Sequence, residues 1–241
     1  MSESGPRPPL SLPDVTALAV PEDFEAELAA AGITVAAPVL AAQGHFLALL
    51  LAMNTRMNLT AVVSPDEAWR RHTLDALTLL PLLSALPAGA RVADVGSGGG
   101  VPALPLALCR PDLQFTLVES TQKKAQFLRD AAAALGLRRV KVLAERAETV
   151  ARGPLREQFD AVTARAVARL EALVPWTVPL VKVGGVALLI KGQRADEELA
   201  EAAGIVAQAG AAHRETLDTP SGRVVVLEKL RRTPSGIPAL R

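Results

Sequence analysis

The stretch Asp94-Val95-Gly96-Ser97-Gly98-Gly99-Gly100-Val101-Pro102 decides the fold. It follows the apolar run Arg91–Val95 and opens the helix-forming segment Val101–Cys109, so it reads as strand, glycine turn and helix start. Glycines in such a turn allow positive φ and let a ligand approach the backbone with no Cβ in the way. The first N–H groups of the new helix have no helical partner and lie at its positive dipole end, which suits an anionic group. Pro102 costs little there, because it removes an N–H that would be unpaired anyway.

Outward from this turn, short apolar runs recur at Gln114–Val118, Val140–Leu143, Phe159–Thr163 and Val186–Ile190. Helix-length segments separate them: Thr121–Leu135, Ala147–Ala151 and Ala168–Val181. Strand–helix alternation with continuously apolar strands indicates a parallel sheet covered on both faces. After a helix at Asp196–Ala209, the runs Ala211–Leu217 and Arg223–Glu228 predict a closing antiparallel hairpin around Pro220-Ser221-Gly222. Before the turn the chain reads as helical at Glu22–Ala31, Val39–Arg56 and Pro65–Leu83. The third of these starts with Ser64 as N-cap, Pro65 at the first position and Glu67 closing a capping box. The expected organisation is a flexible tail over 1–20, a helical extension over 21–88, an α/β core over 89–230 and a basic tail over 231–241.

The chain has 241 residues, half of them hydrophobic, which is enough for one large core. Its 26 basic and 25 acidic residues leave a formal charge of +1, which excludes a basic footprint over the whole molecule. A nucleic acid would have to meet local patches such as Arg70-Arg71-His72, Lys123-Lys124 or Arg138-Arg139-Val140-Lys141. With no tyrosine, a broad base-stacking platform is not expected. Cys109 is the sole cysteine, so neither a disulfide framework nor a cysteine zinc site is available, and no metal is expected. The apolar stretch from Ile33 to Met53 is interrupted by Pro38, Gln43, Gly44 and His45 and reads as a core helix. The expectation is a cytoplasmic monomer that does not engage membranes.

Three ligand classes use a glycine turn of this kind. A P-loop needs Gly-Lys-Ser/Thr at its end, and none is present. A dinucleotide fingerprint needs a third glycine where Val101 stands. An acid followed by Gly-x-Gly-x-Gly, here Asp94 and then Gly96, Gly98 and Gly100, fits a methyltransferase loop better. Glu119, just after the second strand, is placed to accept hydrogen bonds from two ribose hydroxyls. That acid suits a nicotinamide enzyme equally well, so an oxidoreductase stays open on these features alone.

Further motifs stand in order along the chain: Asn58-Leu59-Thr60-Ala61, Arg71-His72-Thr73-Leu74-Asp75-Ala76-Leu77, Asp94 to Pro105, Glu119-Ser120-Thr121-Gln122-Lys123-Lys124, Thr163-Ala164-Arg165-Ala166 and Lys191-Gly192. In this set the chain resembles the bacterial 16S ribosomal RNA guanine-N7 methyltransferases, the glucose-inhibited division protein B family, from about Met53 to the C-terminus. It departs from the family pattern at Ala103, Thr73 and Met53, where a glycine, an aromatic residue and a tryptophan are usual. The resemblance implies a class I, Rossmann-like methyltransferase fold: a mostly parallel seven-stranded sheet with an antiparallel hairpin, preceded by helices. It implies S-adenosylmethionine as cofactor, and 16S ribosomal RNA or the small ribosomal subunit as partner. Cofactor contacts are expected at Gly96, Ser97, Gly98, Gly100, Val101, Glu119, Ser120, Thr121, Ala147, Glu148 and Arg165. RNA contacts are expected at Asn58, Arg70, Arg71, His72, Lys123, Lys124 and Lys191. Another RNA or a small molecule is the alternative methyl acceptor.

Guanine N7 already carries an exposed lone pair, so the chemistry asks for alignment and exclusion of water before it asks for a base. No residue is therefore assigned as general base, and His72, Asp75 and Arg165 are the candidates for direct participation. His72 and Asp75 share a face of one expected helix, a pattern equally met by a packed histidine and a helix-stabilising acid.

Overall fold

The computed structural model describes residues 11–220 and 222–237. The first ten residues of the expected N-terminal tail, Ser221 of the expected hairpin turn and residues 238–241 of the expected C-terminal tail lie outside them.

Among the described residues seven strands form one sheet: β1 (Arg91–Val95), β2 (Gln114–Val118), β3 (Val140–Leu143), β4 (Phe159–Arg165), β5 (Val181–Lys191), β6 (Ala211–Thr219) and β7 (Gly222–Lys229). Their order is β3-β2-β1-β4-β5-β7-β6, parallel from β3 through β5 and antiparallel at β7 and β6. The mostly parallel sheet with a closing hairpin is thus present. The strand order reverses between β1 and β4, and at such a switch point an open α/β sheet leaves a crevice beyond its strand ends.

Alternating side chains feed two cores. Val92, Phe115, Leu117, Leu188 and Ile190 face one layer, built from α2 (Ala37–Met57), α6 (Ala103–Cys109) and α7 (Gln122–Ala134), with α1 (Phe24–Ala30) behind. Ala93, Val95, Val118, Val162 and Leu189 face α8 (Ala147–Arg152), α9 (Leu170–Thr177) and α10 (Ala195–Gln208). Helix α2 is long and apolar enough to cross a membrane, by length and composition. Here its Leu40, Phe46, Leu47, Leu50 and Met53 are buried, and Gln43 Nε2 donates to the Pro105 carbonyl at 2.9 Å. The helical start therefore shares a core with the sheet.

Three expectations need correction. The single helix over Pro65–Leu83 is instead α3 (Pro65–Ala68), a π-helical turn (Trp69–Leu74), α4 (Asp75–Leu77) and α5 (Leu80–Leu83). The π turn buries Trp69, His72, Thr73 and Leu74, three of them consecutive, which a narrow amphipathic stripe does not provide. Ser64 does cap, its Oγ accepting from the Glu67 N–H at 3.2 Å, but the Glu67 carboxylate pairs with Arg71 rather than closing a capping box. The N-terminal tail, expected to be flexible, is held against the core where it is described. The Leu18 N–H donates to the Gly44 carbonyl at 3.1 Å, and Leu12, Leu18 and Val20 pack on the core. At the other end Arg156 donates to the carbonyls of Thr233, Pro234 and Ile237 at 2.7, 2.8 and 2.7 Å.

Candidate active site

Two cavities open just beyond the ends of β1, β2 and β4. The larger, about 520 Å³, is walled by Gly96, Ser97, Gly98, Val101, Glu119 and Ser120 on the sheet side. Leu59, Thr60, Arg71 and His72 face them from the helical side, with Lys124, Arg165 and Ala166 at the margin. The smaller, about 160 Å³, is lined by Glu145, Arg146, Ala147, Glu148 and Trp176 and shares Gly96, Glu119, Ser120 and Val167 with the first.

The floor is built by one carboxylate. Glu119 Oε2 accepts from the Gly98 N–H at 2.9 Å, and Oε1 accepts from the Thr121 N–H at 2.7 Å. The loops after β1 and β2 are thereby clamped together. Each carboxylate oxygen takes one of these bonds and keeps capacity for another. Gly98 has φ +50°, and a Cβ added there would meet nothing closer than the Gly96 carbonyl oxygen at 3.8 Å, so the turn leaves a cradle at that point. A Cβ on Gly99 would fall 2.8 Å from Leu50 Cδ1, which shows how closely the turn lies against α2.

Beneath the turn, Asp94 is 1% exposed. Its Oδ1 accepts from Thr163 Oγ1 at 2.7 Å, and its Oδ2 has no hydrogen-bond partner among the described residues. Burial pushes its carboxyl up to about 6, against the pull of the Thr163 hydrogen bond.

The helical wall is held by Asn54 and Arg165. Asn54 Oδ1 accepts from the N–H groups of Leu59 (2.7 Å) and Thr60 (2.9 Å), and its Nδ2 donates to the Thr60 carbonyl at 2.9 Å. Arg165, at the end of β4, donates through Nη1 to the Arg71 carbonyl, and its Nη2 stands 3.3 Å from His72 Nδ1. Burial draws the Arg165 guanidinium below its ordinary pKa, while the charges of Asp75 and Asp94 work the other way. His72 Nε2 is 2.9 Å from Thr60 Oγ1. Burial first, and then the Arg165 charge, push the His72 imidazole down to about 4, so the ring is neutral near pH 7.

The expected residues therefore divide. Gly96, Ser97, Gly98, Val101, Glu119, Ser120 and Arg165 meet at the larger cavity, and Ala147 and Glu148 at the smaller. Gly100 and Thr121 support the turn through backbone bonds, Gly100 N–H to the Ser97 carbonyl and Thr121 N–H to Glu119. Among the expected RNA contacts, Arg71, His72 and Lys124 line the larger cavity, and Lys123 is exposed one residue before Lys124 on α7.

Two expected RNA contacts, Arg70 and Lys191, are engaged elsewhere, and a third, Asn58, is not among the residues that line the cavity. Arg70 is tied to Asp23 and Glu27 at 2.9 Å each, since it projects from the π turn toward α1. Lys191 is 9% exposed and donates to the Ala168 carbonyl (2.7 Å) and Glu198 (2.8 Å), because α10 carries that acid over the end of β5. Asn58 is exposed and ends α2 with φ +51°, a turn-forming position. Sequence reasoning missed Asn54, whose only signal was an amide near the end of a largely apolar helix. It also passed over Thr60 as an acting group.

The His72 environment gives a direct expectation. Site-resolved NMR should show the ring neutral down to about pH 4 with its proton on Nε2. A titration near 6.5 would contradict the arrangement. The unfolded chain takes up this proton near 6.5 and the folded chain only near 4, so His72 makes folding weaker as pH falls through that window. Asp94, raised to about 6, acts oppositely: its folded form holds a proton that the unfolded chain releases earlier, so it weakens folding as pH rises toward 6. The windows overlap, which is why the measurement must resolve the single ring.

Comparison with known proteins agrees with this geometry. The family model for rRNA small subunit methyltransferase G (GidB) matches residues 40–221. Similar relatives include the ribosomal RNA small subunit methyltransferase G of Sorangium cellulosum, 56% identical over 232 residues, covering 96% of this chain and 97% of the relative. That of Rubrobacter xylanophilus is 40% identical over 236 residues, covering 91% and 90%. Among solved structures, a SAM-dependent methyltransferase from Aquifex aeolicus superposes with a TM-score of 0.54 at 16% identity, over 69% of this chain and 94% of that one, a likeness of fold. With its family model spanning most of the sequence and full-length relatives this similar, the chain belongs to the rRNA small subunit methyltransferase G family.

Proposed function

We propose that the protein methylates N7 of a specific guanine in 16S ribosomal RNA of the small subunit, using S-adenosylmethionine, as a monomer in the cytoplasm. The observation that carries this reading is one continuous space bounded by two kinds of wall. The carboxylate-clamped glycine turn forms one side, and a polar, partly cationic wall of Thr60, Arg71, His72 and Lys124 forms the other. Family membership supports the same reading, since the relatives are named for small-subunit RNA methylation.

The residues present fit S-adenosylmethionine. Glu119 retains an acceptor site on each oxygen for a pair of ribose hydroxyls, Gly98 leaves the backbone open to close approach, and the chamber at Ala147 and Glu148 suits a flat base. The bound group supplies a methyl on a sulfonium, already activated toward a lone pair. The chain's part is to align and to exclude water, which accounts for large accelerations without proton transfer. His72 is neutral and both its ring nitrogens are engaged, so it positions the wall and removes no proton. Arg71 and Lys124 at the cavity, with Lys123 beside it, supply positive charge for the RNA backbone.

Calorimetry should therefore show S-adenosylmethionine binding and no NAD binding. Glu119→Gln should weaken S-adenosylmethionine by roughly 1.5–3 kcal/mol, about ten- to a hundredfold, since it removes a charged acceptor. Full affinity in the folded variant, or NAD binding in place of S-adenosylmethionine, would overturn the assignment of the turn.

A second expectation concerns pH. With RNA and cofactor saturating, single-turnover rates should stay nearly flat from about pH 6 to pH 9, where a required histidine or activated lysine would titrate. A tenfold rise across that range, abolished by His72→Gln, would mean a required base and an acceptor other than N7.

A further inference from the structure

Thr60 occupies an unusual position on the cavity wall. Its Oγ1 lies 2.9 Å from His72 Nε2 and accepts from the Val62 N–H at 3.0 Å. The direction of the first bond follows from the third member of the chain. Arg165 Nη2 stands 3.3 Å from His72 Nδ1, and a guanidinium has only hydrogens to offer. The Arg71 carbonyl also lies within reach of the ring, but it already accepts from Arg165 Nη1; with a guanidinium N–H directed at Nδ1, Nδ1 accepts, Nε2 carries the ring proton, and that proton is donated to Thr60. Both lone pairs of the Thr60 hydroxyl are then occupied. Its own proton has no acceptor among the described residues, while the residue lines the larger cavity. His72 is 4% exposed, so water does not readily replace these bonds. A permanent cation at the head of the chain polarises it toward the Thr60 proton.

We infer that the Thr60 hydroxyl acts only as a donor toward the substrate, and that it selects a purine with a carbonyl oxygen beside N7. This rests on the guanine-N7 reading above. On the edge that carries N7, guanine presents two acceptors, N7 and O6, whereas adenine presents N7 and an amino donor. A hydroxyl free to rotate would serve either base. N7 must keep its lone pair free for the methyl, so a hydroxyl with both lone pairs filled can bond only the neighbouring group: it gains a bond from guanine O6 and meets the adenine amino group donor to donor. Asn54 and Arg165 are then positioning residues: Asn54 fixes the Thr60 backbone, and Arg165 fixes the tautomer of His72.

The test uses 16S ribosomal RNA with 2-aminopurine at the methylated guanine, which keeps N7 and replaces the 6-carbonyl with hydrogen. The wild-type protein should prefer guanine by at least about tenfold in kcat/KM, the size expected for one lost hydrogen bond with its partner left unmet. Thr60→Val should bring that ratio down by about tenfold, chiefly through guanine, while Thr60→Ser should keep it within about threefold of wild type. S-adenosylmethionine affinity reports folding of each variant. A wild-type ratio near one, or a ratio unchanged in folded Thr60→Val, overturns the inference; the wild-type ratio decides the matter even if Thr60→Val does not fold. Absence of any guanine methylation by the wild-type protein would instead overturn the reading on which this rests.

Discussion

A half-buried guanidinium at the end of β4 joins the two sides of the cavity. Arg165 donates to the Arg71 carbonyl and faces His72 on the helical wall, while the charges of Asp75 and Asp94 flank it from helix and sheet. A buried cation without partners would be expensive, so this arrangement holds only while π turn and strand end stay in register. Burial keeps His72 neutral and the Arg165 charge adds to it, while the direction of the His72 bond to Thr60 and the shape of the wall follow from this arrangement.

The opposite side depends on Glu119 in the same way. Its carboxylate clamps the turn after β1 to the turn after β2, so the ligand-facing backbone is organised before any ligand arrives. Gly99 lets that turn lie against Leu50 and Leu59 of the helical part. The helices before β1 are consequently half of the cavity. A sheet with the same strand order but other preceding helices would keep a similar floor and face a different acceptor.

Much of this was legible in the sequence, and the exceptions share a cause. The strands Arg91–Val95 and Gln114–Val118 end where their apolar runs end, because a strand covered on both faces needs continuous apolar residues. The glycine turn announced itself through backbone demands that are local. The π turn did not, since helical periodicity over Pro65–Leu83 looks the same whether or not one turn widens. Lys191 read as a surface cation because its acid, Glu198, arrives from the next helix, and Arg70 because Asp23 and Glu27 lie more than forty residues upstream. Asn54 was invisible for a similar reason. Its work is done on a loop that turns back over the helix end, and nothing at position 54 alone says so.

The most direct measurement is to map N7-methylguanine in small-subunit ribosomal RNA from cells with and without this protein, then to add the purified protein and labelled S-adenosylmethionine to the RNA that lacks the mark. The account predicts one guanine that loses its N7 methyl without the protein and regains it, labelled, on addition. An unchanged methylation pattern, or label appearing on another base, on a ribose or on a small molecule alone, would contradict it.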